Sequence, residues 1–186
     1  LLMKLPGPLN DEQEKQLNTI RGSARHLLSL INDILDVAKI EAGKVTLSIE
    51  RVQCQDLVRE VAETLRPLAA QKGLALDVVL DEQPITLDTD RRALAQILIN
   101  LANNAIKFTE KGTVRVTLAR RMLDDGMLAT EFSVADTGAG IREEDQAKLF
   151  QAFSQLDSTS TRHAEGAGLG LYLCQNLSNV LGGSLY

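Results

Sequence analysis

The chain has 186 residues, 44 % of them hydrophobic, and a net charge of −5, enough for one core of ordinary size plus a small appendage. The acidic balance argues against nucleic-acid binding, which draws on a basic face, but leaves room for a local basic pocket. No apolar run reaches membrane-spanning length. Cys54 and Cys174, with no Cys-x-x-Cys pair, point to neither a disulfide framework nor a zinc site, so a reducing compartment is expected and both read as structural.

Leu1 to Leu5 reads as the tail of something longer, and Pro6-Gly7-Pro8 breaks the chain. Asn10 or Asp11 then caps a helix expected to run to about Ile40. Its apolar positions Leu17, Ile20, Ala24, Leu27, Ile31, Ile34 and Ala38 step by three and four, a heptad seam that Leu28 and Leu35 widen. The seam packs either on the rest of this chain or on a partner helix, a second copy included. Val45, Leu47 and Ile49 alternate as a strand does. An amphipathic helix over Asp56–Ala70, short strands over Leu74–Leu80 and Ile85–Leu87, and a helix from its Asp90 cap to about Phe108 follow. Strands Val114–Arg121 and Ala129–Asp136 join across Asp124-Asp125-Gly126. Helices are expected over Glu143–Phe150 and Leu169–Leu181, the latter stopped by Gly182-Gly183, and Ser184–Tyr186 begins a strand. Strands and helices without a βαβ rhythm imply a two-layer α+β domain with helices on one face of a mixed sheet.

Chemistry concentrates in three places. On the helix from Asp90, Asn100, Asn104 and Lys107 share one face, while Leu94, Ile97, Leu98, Leu101 and Ala105 make the buried face. Amide oxygens are hard ligands suited to Mg²⁺, and the lysine offers charge to phosphate; a plain solvated face reads equally well from these residues. Asp136-Thr137-Gly138-Ala139-Gly140 follows an apolar strand and presents a carboxylate beside bare backbone, suited either to an adenine amine or to a simple Asp-capped turn. Gly166, Gly168 and Gly170 open the last helix, where backbone N–H groups favour an anion, although glycines also simply make turns. No GxxxxGK[ST] run is present, which excludes a P-loop.

In this order and spacing, the segments Asn100–Phe108, Asp136–Ile141, Leu149–Phe153 and Gly166–Leu171 resemble the N, first glycine, F and second glycine boxes of sensor histidine kinases. His26–Asp36 is similar to the second helix of their dimerisation hairpin, especially in hybrid-type kinases, and Ile40–Lys44 to the junction between domains. The resemblance implies a two-layer sandwich of the histidine-kinase, gyrase and chaperone ATPase type, preceded by a long dimerisation helix. Residues 1–42 would be part of the helical hairpin, and 43–186 an ATP-binding domain cut short at its end. It further implies ATP and Mg²⁺ as cofactors. Asn104 and Asn100 would hold the metal, Lys107 would contact phosphate, and Asp136 would accept from adenine beside Gly138 and Gly140. Ser154–Ala164 would form an ATP lid with Arg162 as a phosphate contact, hinged at Gly166, Gly168 and Gly170. Phe150 and Phe153 would anchor the lid base, or read as core aromatics.

The family's phosphoacceptor His belongs to a His-Glu-rich box that this sequence lacks. His26 lies beside the seam, and His163 falls in the lid segment. Glu165 and Ala167 stand where small residues or Thr are commoner in the family. The implied function is the ATP-binding and dimerisation portion, cytoplasmic, of a two-component sensor histidine kinase. That kinase autophosphorylates a histidine absent from this chain and relays the phosphoryl group to a receiver aspartate, so that this chain alone is not expected to phosphorylate itself. It would form a homodimer through helix 11–40, have the receiver domain of a response regulator as partner, and meet a membrane only through other regions. Two alternatives are a non-catalytic regulatory module and a hydrolysing ATPase of the same superfamily. The latter uses a Glu one turn before the metal-binding Asn, where this chain has Asn100.

Overall fold

A computed structural model describes residues 7–123, 126–154 and 168–186, except the side chains of His26, Asp33 and Glu41. Its first element is a 31-residue helix, α1 (Asp11–Glu41). Asn10 caps it reciprocally: its side chain accepts from the Gln13 N–H at 2.8 Å, and the Gln13 side chain accepts from the Asn10 N–H at 3.0 Å. Strand β1 (Ile49–Gln53) leads directly into α2 (Cys54–Gln71). Then come β2 (Ala75–Leu80), β3 (Thr86–Asp90), α3 (Arg91–Phe108), β4 (Thr113–Met122) and β5 (Leu128–Asp136). A short α4 (Glu143–Gln146) and α5 (Gly170–Val180) complete the order.

The expected mixed sheet forms, with one refinement: the strands divide into two sheets. β2 and β4 run parallel and β4 and β5 antiparallel in a three-stranded sheet, while β1 and β3 make a separate antiparallel pair. On the inner face of the larger sheet Leu76, Val78 and Leu80 oppose Val114, Val116 and Leu118. Across β4, Val116 and Leu118 oppose Val134 and Phe132 of β5. These residues meet Leu57, Val61 and Leu65 of α2 and Leu94, Leu98, Ala102 and Ile106 of α3 in the main core. A second core forms behind α3, where Ala93 and Ile97 pack on Leu173, Cys174 and Leu177 of α5, flanked by Val37 and Ile40 of α1. Helix α3 is thus buried along two stripes and fixed from both sides. That double burial makes it a rigid platform.

Three expectations need correction. Val45 to Ser48 form no strand; the Ser48 N–H is taken by the Asp90 carboxylate at 2.8 Å, and pairing starts only at Ile49. The helix expected over Glu143–Phe150 stops at Gln146. Beyond it the chain tightens into i→i−3 turns, with Leu149 N–H donating to Gln146 O and Gln151 N–H to Lys148 O. Ser184–Tyr186 are not a strand either; Tyr186 instead reaches β5 through its hydroxyl, which donates to Glu131 Oε1 at 2.7 Å. Both cysteines are buried outside any disulfide, and burial pushes the Cys54 thiol up.

Candidate functional site

The start of α3 is set by Asp90. Its Oδ1 accepts from the N–H groups of Arg92 and Ala93 at 2.9 and 3.0 Å, and its Oδ2 from Ser48. Burial pushes this carboxyl up, but the three backbone donors outweigh that and hold it below the usual carboxylate range. With the start pinned and two stripes buried, the remaining face of α3 presents Asn100, Asn104 and Lys107, all half-buried. The Asn100 amide nitrogen is buried with no hydrogen-bond partner among the described residues. A buried donor left unpaired costs about 1–3 kcal/mol, so this amide calls for an acceptor that the described residues do not supply. The Lys107 ammonium lies 4.9 Å from the centre of the exposed Phe108 ring.

The end of α3 meets the end of β5. A Cβ placed on Gly138 would lie 2.7 Å from the Phe108 carbonyl oxygen and 2.8 Å from Asp136 Oδ1. No side chain fits there, and this is why the position after Thr137 is glycine. The Gly138 N–H donates to Asp136 Oδ1 at 2.8 Å, which orients the carboxylate; Oδ2 accepts nothing from the described residues. Thr137 staples the loop to the first residue of β4. Its Oγ1 accepts from the Thr113 N–H at 3.0 Å, while its own N–H donates to the Thr113 carbonyl. An oriented, exposed carboxylate therefore stands beside the turn of α3 that carries Lys107. Gly140 has a φ of 70° but no neighbour that a Cβ would strike.

The second glycine run enters at Gly168 and Gly170. Gly168 has a φ of 70°, and a Cβ there would sit 2.4 Å from the Ser154 carbonyl oxygen. The positions on either side of the intervening segment are thus in contact, and only glycine permits that approach. Gly170 begins α5, whose N-cap, Leu169, gives no side-chain hydrogen bond. The first N–H groups of α5 consequently lack a capping side chain, the condition under which a helix N-terminus suits an anion. Arg162, His163, Glu165, Gly166 and Ala167 lie outside the described residues, as does most of the expected lid. Phe150 is half-buried, but Phe153 is 67 % exposed with a φ of 61°, so its reading as a core aromatic is corrected.

Sequence reasoning assigned no role to Thr137 and did not mark Lys72, whose ammonium bonds the carbonyls at the end of α3. The only local signal for Lys72 is its place beside Gly73 at the end of a helix. On the apolar seam of α1, Ile20, Leu27, Leu28, Ile31, Ile34 and Leu35 are 44–63 % exposed, so the described residues leave that stretch uncovered. No helix among the described residues is long and apolar enough to cross a membrane.

Residues 89–186 match the profile of the histidine kinase-, DNA gyrase B- and HSP90-like ATPases, and residues 1–43 that of the His Kinase A (phospho-acceptor) domain. The signal transduction histidine-protein kinase BarA of Escherichia coli (strain K12) is 40 % identical over 184 residues, 98 % of this chain and 20 % of BarA. Sensor protein GacS of Pseudomonas syringae pv. syringae is 42 % identical over 181 residues, 95 % of this chain and 20 % of GacS. The crystal structure of full-length ShkA in complex with AMPPNP superposes with a TM-score of 0.78 at 38 % identity, covering 96 % of this chain and 36 % of ShkA. The chain spans about a fifth of the length of the curated relatives it matches.

Proposed function

Since the chain belongs to the histidine kinase-, DNA gyrase B- and HSP90-like ATPase family, on its sensor-histidine-kinase branch, we propose that it binds Mg²⁺–ATP and dimerises as part of a two-component kinase. The parent protein would transfer the γ-phosphoryl group of ATP to a histidine and relay it to an aspartate on a receiver domain of a response regulator. In this reading residues 1–42 belong to the dimerisation hairpin and 43–186 to the ATP-binding domain, both on the cytoplasmic side of the parent.

The observation that carries the reading is the buried Asn100 amide, unpaired among the described residues, on the face of α3 that also bears Asn104 and Lys107, with the oriented Asp136 carboxylate beside the last turn of that helix. These residues fit a magnesium nucleotide. An unpaired N–H donor asks for an acceptor, which phosphate oxygens supply. Amide oxygens of Asn104 and Asn100 are hard ligands for Mg²⁺, with phosphate and water completing its shell. Bound there, the ion would neutralise phosphate charge. Lys107 adds a positive charge from the same face, and Asp136 offers Oδ2 to the adenine amine, with Gly138 and Gly140 leaving room beside it. Arg162 and Gly166 would complete the phosphate end together with Gly168 and Gly170 at the uncapped start of α5. Asn100 also favours phosphoryl transfer over hydrolysis, because an amide is a poor general base for water.

Calorimetric titration with ATP and with GTP tests the adenine assignment. The chain prefers ATP, and Asp136→Ala weakens ATP binding about tenfold while leaving GTP unchanged. Equal loss for both nucleotides, or no loss for ATP, removes Asp136 from adenine recognition.

A further inference from the structure

Lys72 lies outside every motif. It ends α2 as the C-cap residue, and its side chain crosses to the far end of α3. There the ammonium donates to the carbonyls of Ile106 at 2.9 Å, Lys107 at 2.6 Å and Thr109 at 3.4 Å. The last four carbonyls of a helix lack intrahelical donors, and in α3 each of them has a defined environment. The Ala105 carbonyl accepts from both the N–H and the hydroxyl of Thr109, at 3.0 and 2.7 Å. Ile106 and Lys107 carbonyls go to Lys72, and the Phe108 carbonyl faces Gly138. An ammonium has three hydrogens, and the C-terminal end of a helix dipole attracts positive charge. Water could satisfy carbonyls at a solvent-facing helix end. A lysine reaching them from another helix does more, because it ties α2 to the turn that carries Lys107 and abuts the Asp136–Gly138 loop.

We propose that Lys72 is a positioning residue for the nucleotide: by holding the last turn of α3, it fixes Lys107 and Phe108 relative to Asp136 and raises ATP affinity without touching the ligand. The proposal rests on the nucleotide-site reading above. Lys72→Met keeps the aliphatic stem and removes the donors; Lys72→Arg restores donors and charge. Each is titrated with Mg²⁺–ATP in the whole chain, at a temperature where circular dichroism finds it folded. Lys72→Met is expected to bind about fivefold more weakly, with Lys72→Arg recovering most of the loss. In ligand-free Lys72→Met, the backbone amide resonances of Thr109 and Gly138 shift. Unchanged affinity in Lys72→Met, or a loss that Lys72→Arg does not recover, overturns the proposal. Should Lys72→Met fail to fold, Lys72→Gln is judged by the same criteria. Absence of ATP binding by the parent chain would instead overturn the nucleotide-site reading itself.

Discussion

Helices α1 and α3 are built on the same amphipathic principle and end in opposite conditions. α3, at 18 residues, buries Leu94, Leu98, Ala102 and Ile106 against the sheet and α2, and Ala93 and Ile97 against α5. α1, at 31 residues, leaves Ile20 through Leu35 of its seam open among the described residues and meets the rest of the fold near its end, through Val37, Ile40 and a hydrogen bond that the Gln96 amide donates to Asp36. One helix has its partners within the chain, whereas the other displays a stripe suited to a second helix. Rigid packing suits an element proposed to hold asparagine and lysine side chains for a ligand; an open seam suits association. A pattern of apolar residues therefore reports that a face will be covered, not by what.

The sharpest way to break this contrast is to cut into α3. Leu98→Ala removes a fully buried side chain at the centre of the main core, and denaturant unfolding is expected to show a loss of about 3 kcal/mol. A loss below about 1 kcal/mol would mean that α3 is far less firmly seated than its burial implies.

A smaller effect comes from the cap. Asp90→Ala is expected to cost about 1 kcal/mol at neutral pH. The carboxyl is held below its unfolded value, so its contribution is fully present above the ordinary carboxylate range. It fades as pH falls through the lowered folded value. Acid unfolding followed by circular dichroism should therefore show a gentler decline in the variant than in the parent. Parallel curves would remove Asp90 from the acid dependence.

The smallest effect on folding belongs to α1. Ile31→Asp lies on the exposed seam and is expected to change the unfolding free energy of the monomer by less than about 0.5 kcal/mol. In sedimentation experiments the same substitution is expected to abolish the proposed self-association of the chain. A variant that sediments as the parent dimer does would exclude the seam as the interface.

Much of the fold was legible because its signals are local. The Asp90 cap, the α3 periodicity and the β4–β5 hairpin all appear where the residues place them. The misreadings arise where distant groups decide. Val45, Leu47 and Ile49 alternate as a strand does, yet the Ser48 N–H is claimed by Asp90, 42 residues on. The turn after Gln146 has helical composition but closes with shorter hydrogen-bonded rings. In the site, Asn100, Asn104, Lys107 and Asp136 stood out by type and spacing. Lys72 did not, since an exposed lysine at a helix end looks like any solvated charge until its partners, 34 to 37 residues away, are placed. Phe153 likewise carries no sequence mark of its positive φ.

The amide face of α3 is proposed to hold a magnesium nucleotide. Isothermal titration of the chain and of Asn104→Ala with ATP in the presence of Mg²⁺ tests it most directly, with both proteins verified as folded. Saturable binding by the parent and at least about a tenfold loss in Asn104→Ala is the predicted result. Equal affinities in the two proteins would contradict it.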